Sequence, residues 1–363
     1  MFPSPELAVV VPTFNARGQI DPLIERLAAA LAGIAWEVVV VDDNSPDGTA
    51  AAVRALARQD PRVRVVQRIG RRGLASACVE GMLACAAPYL AVLESDQAPA
   101  ADQLPALLRA VQSDGLDLAV GSRYLGAVPA APGLAGRVAA RLSRLVLKVH
   151  LTDPMSGVFV LTREVLDGAL GGLSGIGVKV LPDLFASNRR PLRFTEVPYG
   201  VRPTGAGGRD TNAIWDYLMM FLDKTLGRYV PIRFIPFALV GGTGVLVHLL
   251  VLWLVYDLGG SGFATAQSAA AAVAMTFNFF INNAFTYRDR QLRGWGLLRG
   301  WFSYTLACSL GVIANVGIAT YAFETHLVGA TAWVLSAVAG ILVGAVWNYA
   351  VTSVYTWNKV RGD

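Results

Sequence analysis

The chain has 363 residues, of which 54% are hydrophobic and 16% charged. Soluble domains carry about 25% charged residues, so this composition excludes a disordered chain and argues against a wholly water-soluble protein. The net charge of +5 is too small and too scattered to argue a nucleic-acid partner, and it suits an anionic membrane face or phosphorylated ligands.

Cys78, Cys85 and Cys308 show neither metal nor disulfide spacing, which excludes a disulfide-stapled scaffold and fits a reducing compartment. Residues 1–231 hold 24 Lys and Arg with 22 Asp and Glu, whereas residues 232–363 hold 7 and 4. The first part reads as a water-soluble domain and the second as membrane. The start of the chain has no basic region or cleavage site, and its apolar run over 7–11 ends at Pro12, which reads as a buried strand and not a signal peptide.

In chain order, the apolar β-branched run over 7–11 is the first predicted strand, and 22–31 follows with helical spacing (Leu23, Leu27, Ala30, Leu31). A strand over 36–41, a helix over 49–58, a strand over 63–67, a helix over 73–84, a strand over 89–93, a helix over 103–112 and a strand over 116–120 continue the alternation. Val-rich strands between helices predict a mostly parallel sheet covered on both faces. Ligands of such sheets bind beyond the carboxyl ends of the strands, so the polar residues there carry the argument.

Four strand ends are informative: Pro12-Thr13-Phe14-Asn15; Asp42-Asp43-Asn44-Ser45-Pro46-Asp47-Gly48-Thr49; Arg68-Ile69-Gly70-Arg71-Arg72-Gly73; and Glu94-Ser95-Asp96. Two carboxylates two residues apart just past a strand suit a divalent cation bridging a diphosphate. A Gly/Arg segment before a helix suits phosphates. Each also has a plainer reading: a turn and helix cap for Asn44 to Thr49, a solvated loop for Glu94 and Asp96, and an exposed basic face for Arg68, Arg71 and Arg72. That all four fall on one rim favours a site.

Together with Gly121-Ser122-Arg123-Tyr124, Asp153-Pro154-Met155-Ser156-Gly157-Val158-Phe159, Glu196-Val197-Pro198-Tyr199, Arg202 and Gly205, these ends form an ordered series. Over roughly residues 6–210 the series resembles the GT-A glycosyltransferases of family 2, and among them the dolichol-phosphate mannose synthases. The resemblance implies an α/β fold, a GT-A type nucleotide-sugar-binding domain with a mostly parallel sheet. It implies donor-nucleotide binding by Pro12, Thr13, Phe14, Asn15, Asp43, Ser45, Gly70, Arg71, Ser76 and Ser95, and a Mg2+ or Mn2+ cofactor on Glu94 and Asp96. It implies acceptor-phosphate binding by Arg123, Arg137, Ser156 and Arg202, with Asp96, Arg123 and Asp153 as the catalytic set. Arginine suits the phosphate role because its planar fork pairs bidentately with phosphate oxygens. The chain departs from the family's Asp-x-Asp-x-Gln at two places, with Glu94 first and Ala98 at the Gln position; Ala16 stands where a Glu is common, and Gly207-Gly208 where a Ser-Lys pair is usual.

Two amphipathic stretches lie among these motifs. Residues 134–150 place Leu134, Val138, Leu142, Leu145 and Val149 on one face and Arg137, Arg141, Arg144 and Lys148 near the other; residues 214–230 repeat the idea with Trp215, Leu218, Phe221, Leu222 and Lys224. Helices lying in the membrane interface are expected, with packing onto the domain's own core as the alternative. The Gly-rich stretch over 203–208 reads as a mobile loop near the site or a plain linker.

Four apolar stretches, 237–256, 263–285, 302–323 and 332–355, are each long enough to span a membrane core, which takes about 20 helical residues. Arg288, Arg290, Arg293 and Arg299 sit in the middle connector, Lys224, Arg228 and Arg233 before the first stretch, and Lys359 and Arg361 after the last, which predicts that the N-terminal domain, middle connector and C-terminus face the cytoplasm. An internal repeat relates Phe277-Asn278-Phe279 through Phe285-Thr286-Tyr287 to Trp347-Asn348-Tyr349 through Tyr355-Thr356-Trp357 at an offset of 70, and Gly244 to Gly311 at an offset of 67. This part resembles the GtrA-like membrane domain over about residues 232–358. Asn278, Asn282, Asn283 and Asn348 read as helix-to-helix hydrogen-bonding groups, with a lipid-head pathway as the alternative.

The expected organisation is a catalytic domain over 1–212, an interfacial helix over 213–231 and an all-α four-helix transmembrane domain over 232–363. The expected reaction moves a sugar, mannose from GDP-mannose, to a polyprenyl or dolichyl phosphate with inversion. UDP-glucose or another donor, and lipid-linked sugar translocation, stand as alternatives. The partners are the nucleotide sugar, the polyprenyl phosphate and the bilayer; a homo-oligomer is left open.

Overall fold

The computed structural model describes residues 4–69, 73–125, 134–144, 149–174, 179–199, 210–227, 229–231, 233–287, 290–324 and 332–357. The chain divides into two compact units, Met1–Thr225 and Leu226–Asp363.

The first unit alternates β1 (Leu7–Thr13), α1 (Arg17–Ala30), β2 (Trp36–Asp42), α2 (Thr49–Ala57), β3 (Val63–Gln67), α3 (Leu74–Leu83), β4 (Tyr89–Leu93), a 3₁₀ segment (Ser95–Gln103), α4 (Leu104–Ser113) and β5 (Leu118–Ser122). Then come α5 (Leu134–Leu142), β6 (Val158–Thr162), α6 (Arg163–Ala169), α7 (Leu181–Ser187), β7 (Phe194–Pro198) and α8 (Asp210–Leu226). One seven-stranded sheet has the order β3-β2-β1-β4-β6-β5-β7. All pairings are parallel except those of β6, which runs antiparallel to both β4 and β5. The mostly parallel sheet expected from the Val runs is therefore present, with one reversed strand that alternation up to residue 120 does not reach.

Burial on both faces follows the strand period of two. Leu7, Val9 and Val11 of β1 pack with Ile20, Leu23 and Leu27 of α1 and with Leu104, Leu107 and Leu108 of α4. Ala8 and Val10 point the other way, toward Ala75, Cys78 and Met82 of α3 and Leu181 and Leu184 of α7. Gly81 lets α3 settle on the sheet, since a Cβ there would run into Val10 and Val41. Cys78 and Cys85 are core residues of this face. Burial pushes the Cys78 thiol well above its ordinary range and the Cys85 thiol up to about 12, so neither is a nucleophile.

Helices α5 and α8 direct part of their apolar faces at each other: Ala139, Leu142, Met220 and Phe221 pack together with Met155. That portion follows the core-packing alternative, while Leu218 of α8 remains exposed. Lys224 at the end of α8 ties back to the buried Asp183 of α7 at 2.6 Å.

The second unit holds α9 (Phe234–Trp253), α10 (Phe263–Ile281), α11 (Trp295–Glu324) and α12 (Ala332–Tyr355). Each covers one of the four predicted apolar stretches almost to its limits. Among the described residues searched for hydropathy, one helix, Phe234–Leu258, is long and apolar enough to cross a membrane. The sequence repeat is a structural one. Tyr287 N donates to Asn282 O at 2.9 Å and Trp357 N to Thr352 O at 3.1 Å, so α10 and α12 close on equivalent wide i→i+5 turns. The two repeat-related rings stack at 4.0 Å and 5°. Gly244 and Gly311 each face the amide of a repeat-related asparagine, Asn278 and Asn348, which a Cβ would strike. Asn283 Oδ1 accepts from Trp357 Nε1 at 3.1 Å and from Leu292 N at 2.9 Å. This asparagine joins helices by hydrogen bonds as expected.

Candidate active site

The strand order reverses between β1 and β4: β2 and β3 lie to one side of β1, and the rest of the sheet continues on the other side through β4. Ligands of open α/β sheets enter the crevice at such a switch point, past the carboxyl ends. Thr13, Phe14 and Asn15 follow β1 there, and Glu94, Ser95 and Asp96 follow β4.

The loops after β1 and β2 are clasped together. Asn15 N donates to Ser45 Oγ at 2.9 Å, Ala16 N to Thr49 Oγ1 at 3.1 Å and Arg17 N to Asp47 Oδ2 at 3.1 Å. Three main-chain donors at the start of α1 thus find acceptors in the other loop, as exposed helix N-termini require. Asp47 also accepts from Thr49 N and Oγ1 at 3.0 and 2.6 Å. The Thr49 hydroxyl, against the effect of burial and with the help of the Arg17 and Thr49 amides, holds the Asp47 carboxyl below the ordinary carboxylate range. Asn15 and Asn44 both take positive φ, 56° and 55°, a conformation that asparagine tolerates best among non-glycine residues. Asp42, fully buried, accepts from Ser45 N at 2.9 Å and from Thr13 Oγ1 at 3.3 Å. Ser45 and Thr13 are therefore engaged in building the rim. Phe14 is 47% exposed on it.

Asp43 is held differently. Its Oδ1 accepts from Arg68 Nη1 at 2.7 Å and its Oδ2 from Gly73 N at 2.8 Å. Arg68 is 4% exposed and also reaches Gly73 O at 3.1 Å, Ser76 Oγ at 2.6 Å and Glu80 at 3.1 Å. Arg68 is thus no exposed basic face: it is the buried cation that fixes Asp43 and Ser76 at the start of α3. Gly73 takes φ 144°, where a side chain is strained.

Beyond β4, Glu94 is 8% exposed and its carboxylate pairs with Lys179, just before α7. Glu94 N donates to Gly157 O at 3.1 Å, and a Cβ on Gly157 would collide with the Glu94 carboxyl, so the Glu94 side chain crosses a gap that glycine leaves. Ser95 and Asp96 begin the 3₁₀ segment, both partly exposed. Gln97 accepts from the Tyr199 hydroxyl at 3.4 Å. Tyr199 lies against Gly121, where a Cβ would come within 3.0 Å of the ring. Burial pushes its phenol well above its ordinary value, so it is a neutral donor.

At the end of β5, Arg123 forks onto Asp153: Nε to Oδ2 is 2.7 Å and Nη2 to Oδ1 2.8 Å, with Arg123 N at 3.2 Å from Oδ2. Asp153 is fully buried. Burial works against the Arg123 charge, and Asp153 more than offsets it, so the guanidinium is held above its ordinary value. Glu196 on β7 holds the Thr152–Asp153 turn, accepting from Thr152 N at 3.0 Å, Thr152 Oγ1 at 2.7 Å and Asp153 N at 3.2 Å. Ser156 is buried and donates to Gly121 O at 2.6 Å.

The clusters share one end of the sheet. In the sheet, β4, which leads into Glu94, lies between β2, which leads into Asp43, and β5, which leads into Arg123, so the Glu94–Lys179 pair stands between the Asp43–Arg68 pair and the Arg123–Asp153 pair.

A model described as glycosyl transferase family 2 matches residues 8–165, and a model described as GtrA/DPMS, transmembrane domain, matches residues 236–357. A dolichol-phosphate mannosyltransferase of Pyrococcus furiosus is 30% identical over 319 residues, covering 85% of this chain and 88% of its own. The chain belongs to the dolichol-phosphate mannosyltransferase family. It is a glycosyltransferase and a membrane protein. A dolichol-phosphate mannosyltransferase of Mycosarcoma maydis is 29% identical over 265 residues, 69% of this chain and 88% of its own. A polyprenol monophosphomannose synthase of Mycolicibacterium smegmatis is 33% identical over 217 residues, 55% of this chain and 81% of its own.

Of the residues assigned by resemblance in this member of the family, the structure brings Thr13, Phe14, Asn15 and Ser45 into the clasped rim around β1 and β2, with Pro12 inside β1, and it joins Asp43 and Ser76 through Arg68. It brings Glu94, Ser95 and Asp96 to the end of β4, and Arg123, Asp153 and Ser156 to the end of β5. Arg137 is exposed on α5, whose Ala139 packs on Met155. Gly70, Arg71 and Arg202 lie outside the described residues, as does the Gly-rich stretch over 203–208. Sequence reasoning names Glu196 within a motif but gives it no role, and it misses Lys179 and the burial of Arg68, for which the local sequence carries no signal.

A magnesium ion bound beside a substrate diphosphate takes one or two protein carboxylates. The two carboxylates past β4, Glu94 and Asp96, are of the type that need calls for; Glu94 also pairs with Lys179, and among the described residues no group of three His, Cys, Asp or Glu side chains is disposed to hold a metal.

Proposed function

We propose that this enzyme transfers mannose from GDP-mannose to the phosphate of a polyprenyl or dolichyl phosphate, with inversion, at the cytoplasmic face of a membrane that its C-terminal part crosses four times. The observation that carries this reading is the 30% match to the Pyrococcus furiosus dolichol-phosphate mannosyltransferase, which runs over 85% of the chain and so through both parts. The Arg and Lys residues of the middle connector and the flanks support the orientation.

The chemistry asks little of a general base. A phosphate monoester has a second pKa of about 6, so its oxygen is already a nucleophile near neutral pH. That oxygen attacks the anomeric carbon from the face opposite the donor diphosphate. The carbon–oxygen bond to the diphosphate breaks, and the electron pair leaves with the nucleoside diphosphate. Asp43, held by Arg68, stands on the nucleotide side. Arg123, aligned by Asp153, receives the acceptor phosphate. A divalent cation, Mg2+ or Mn2+, when bound through Asp96, neutralises charge on the departing diphosphate.

The test uses the full chain in vesicles with polyprenyl phosphate and radiolabelled donors. GDP-mannose is expected to place label in the organic phase at least tenfold faster than UDP-glucose. A preference for UDP-glucose overturns the donor, and no transfer from any donor overturns the reading.

A further inference from the structure

At the end of β4, where the resemblance implies a run of metal-ligand residues, a lysine meets the first carboxylate. Glu94 replaces the first Asp, Ala98 offers no donor at the Gln position, and Gln97 accepts from Tyr199. The Glu94 side chain runs across Gly157 and meets the Lys179 ammonium, although the two residues are 85 positions apart. Their side chains are 11% and 16% exposed.

A pair this secluded carries a desolvation cost that apolar residues of similar size avoid. Its place explains its presence. It lies between the Asp43–Arg68 and Arg123–Asp153 pairs, where the donor's diphosphate must sit if the nucleotide is on one side and the acceptor phosphate on the other.

We propose that Lys179 binds the donor's diphosphate directly, and that Glu94 is the anchor that aims Lys179 and not a metal ligand. The inference rests on the donor reading above. An ammonium has three N–H donors, and Glu94 takes one, so an anion can join without displacing the carboxylate. The same lysine then meets the charge that grows on the diphosphate as the sugar departs. Gly157 belongs to this device, because any side chain there would push Glu94 off its partner.

The test reads binding, apart from turnover. Calorimetry on the full chain in detergent with EDTA is expected to show GDP binding by the wild type, weakened about tenfold in Lys179→Met and within about threefold of wild type in Lys179→Arg. The double variant Glu94→Gln/Lys179→Gln leaves no unpaired buried charge and is expected to show the same weakening while folded by circular dichroism. In a second titration, of Mn2+ onto the GDP complex, Asp96→Asn raises the half-saturating Mn2+ concentration about tenfold and Glu94→Gln shifts it less than about twofold. Unchanged GDP binding in EDTA for the folded double variant overturns the role of Lys179. An equal rise in the Mn2+ requirement for Glu94→Gln and Asp96→Asn makes Glu94 a ligand and overturns its role as anchor. UDP is run in parallel, and a UDP preference overturns the GDP reading alone, since Lys179 meets the diphosphate whichever base is attached. Failure of both nucleotides to bind overturns the donor reading and this inference together.

Discussion

Replacing Arg123 by Ala is expected to lower kcat/KM for polyprenyl phosphate by about a hundredfold or more, with GDP binding within about threefold of wild type. Arg123 is aimed by two parallel bonds to Asp153 at 2.7 and 2.8 Å, and Asp153 is aimed in turn by Glu196 through its own N–H at 3.2 Å. The arrangement fixes a planar cation at the end of β5 before any acceptor arrives, so little reorganisation accompanies the reaction. Truncation also strands the buried Asp153 carboxylate, which by itself destabilises the fold. Arg123→Lys separates the two effects: it keeps a charge near Asp153 and loses the fork. Initial rates over a range of acceptor concentrations, at saturating donor, check this. The expected result is a folded Arg123→Lys enzyme that retains the donor and loses most of its transfer; wild-type rates in that variant remove Arg123 from the acceptor site.

The second large effect is expected at Arg68. Arg68→Met should destabilise the first unit by about 3–5 kcal/mol, the range for breaking a buried ion pair by removing one partner. The side chain is 2% exposed and holds Asp43, Ser76, Glu80 and the Gly73 carbonyl at once. Its loss leaves the Asp43 carboxylate, 7% exposed, with only the Gly73 amide among these partners. Denaturant unfolding followed by circular dichroism reads the stability. GDP titration of the folded fraction reads the donor side, which is expected to weaken together with stability because Asp43 is no longer aimed. A variant as stable as the wild type contradicts the buried-clamp account of Arg68.

What the sequence makes legible here is what is local. Val38 to Val41 with the alternating helices predict a covered parallel sheet, because fully buried strands need apolar residues on both faces. Thr13, Asp43 and Glu94 with Asp96 are readable as strand ends because each lies at or just past such a run. Tyr287 and Trp357 are readable as repeat positions at an offset of 70, but that their rings stack on each other is a tertiary fact. Partnerships at long range leave no periodic trace. Lys179 sits 85 residues from Glu94, and Glu196 sits 44 from Thr152. The reversed strand β6 pairs with β4 and β5 from beyond the regular alternation. Burial, too, is invisible locally: Arg68 among Arg71 and Arg72 looks like a solvated basic run, yet it is enclosed against Asp43 and the first turns of α3, where it meets Gly73, Ser76 and Glu80. The internal partners of Ser45 and Ser156 are not readable from their motifs either: Ser45 accepts from Asn15 N in the neighbouring loop, and Ser156 donates to the Gly121 carbonyl.

The central claim is that the sugar moves to a phosphate on a lipid. Its most direct measurement compares two acceptors in the same vesicles, polyprenyl phosphate and the polyprenol alcohol of equal length, with labelled GDP-mannose and the wild-type chain. The account predicts label in a polyprenyl-phosphate sugar of inverted anomeric configuration and none on the free alcohol. Transfer to the alcohol at a comparable rate, or a product of retained configuration, contradicts it.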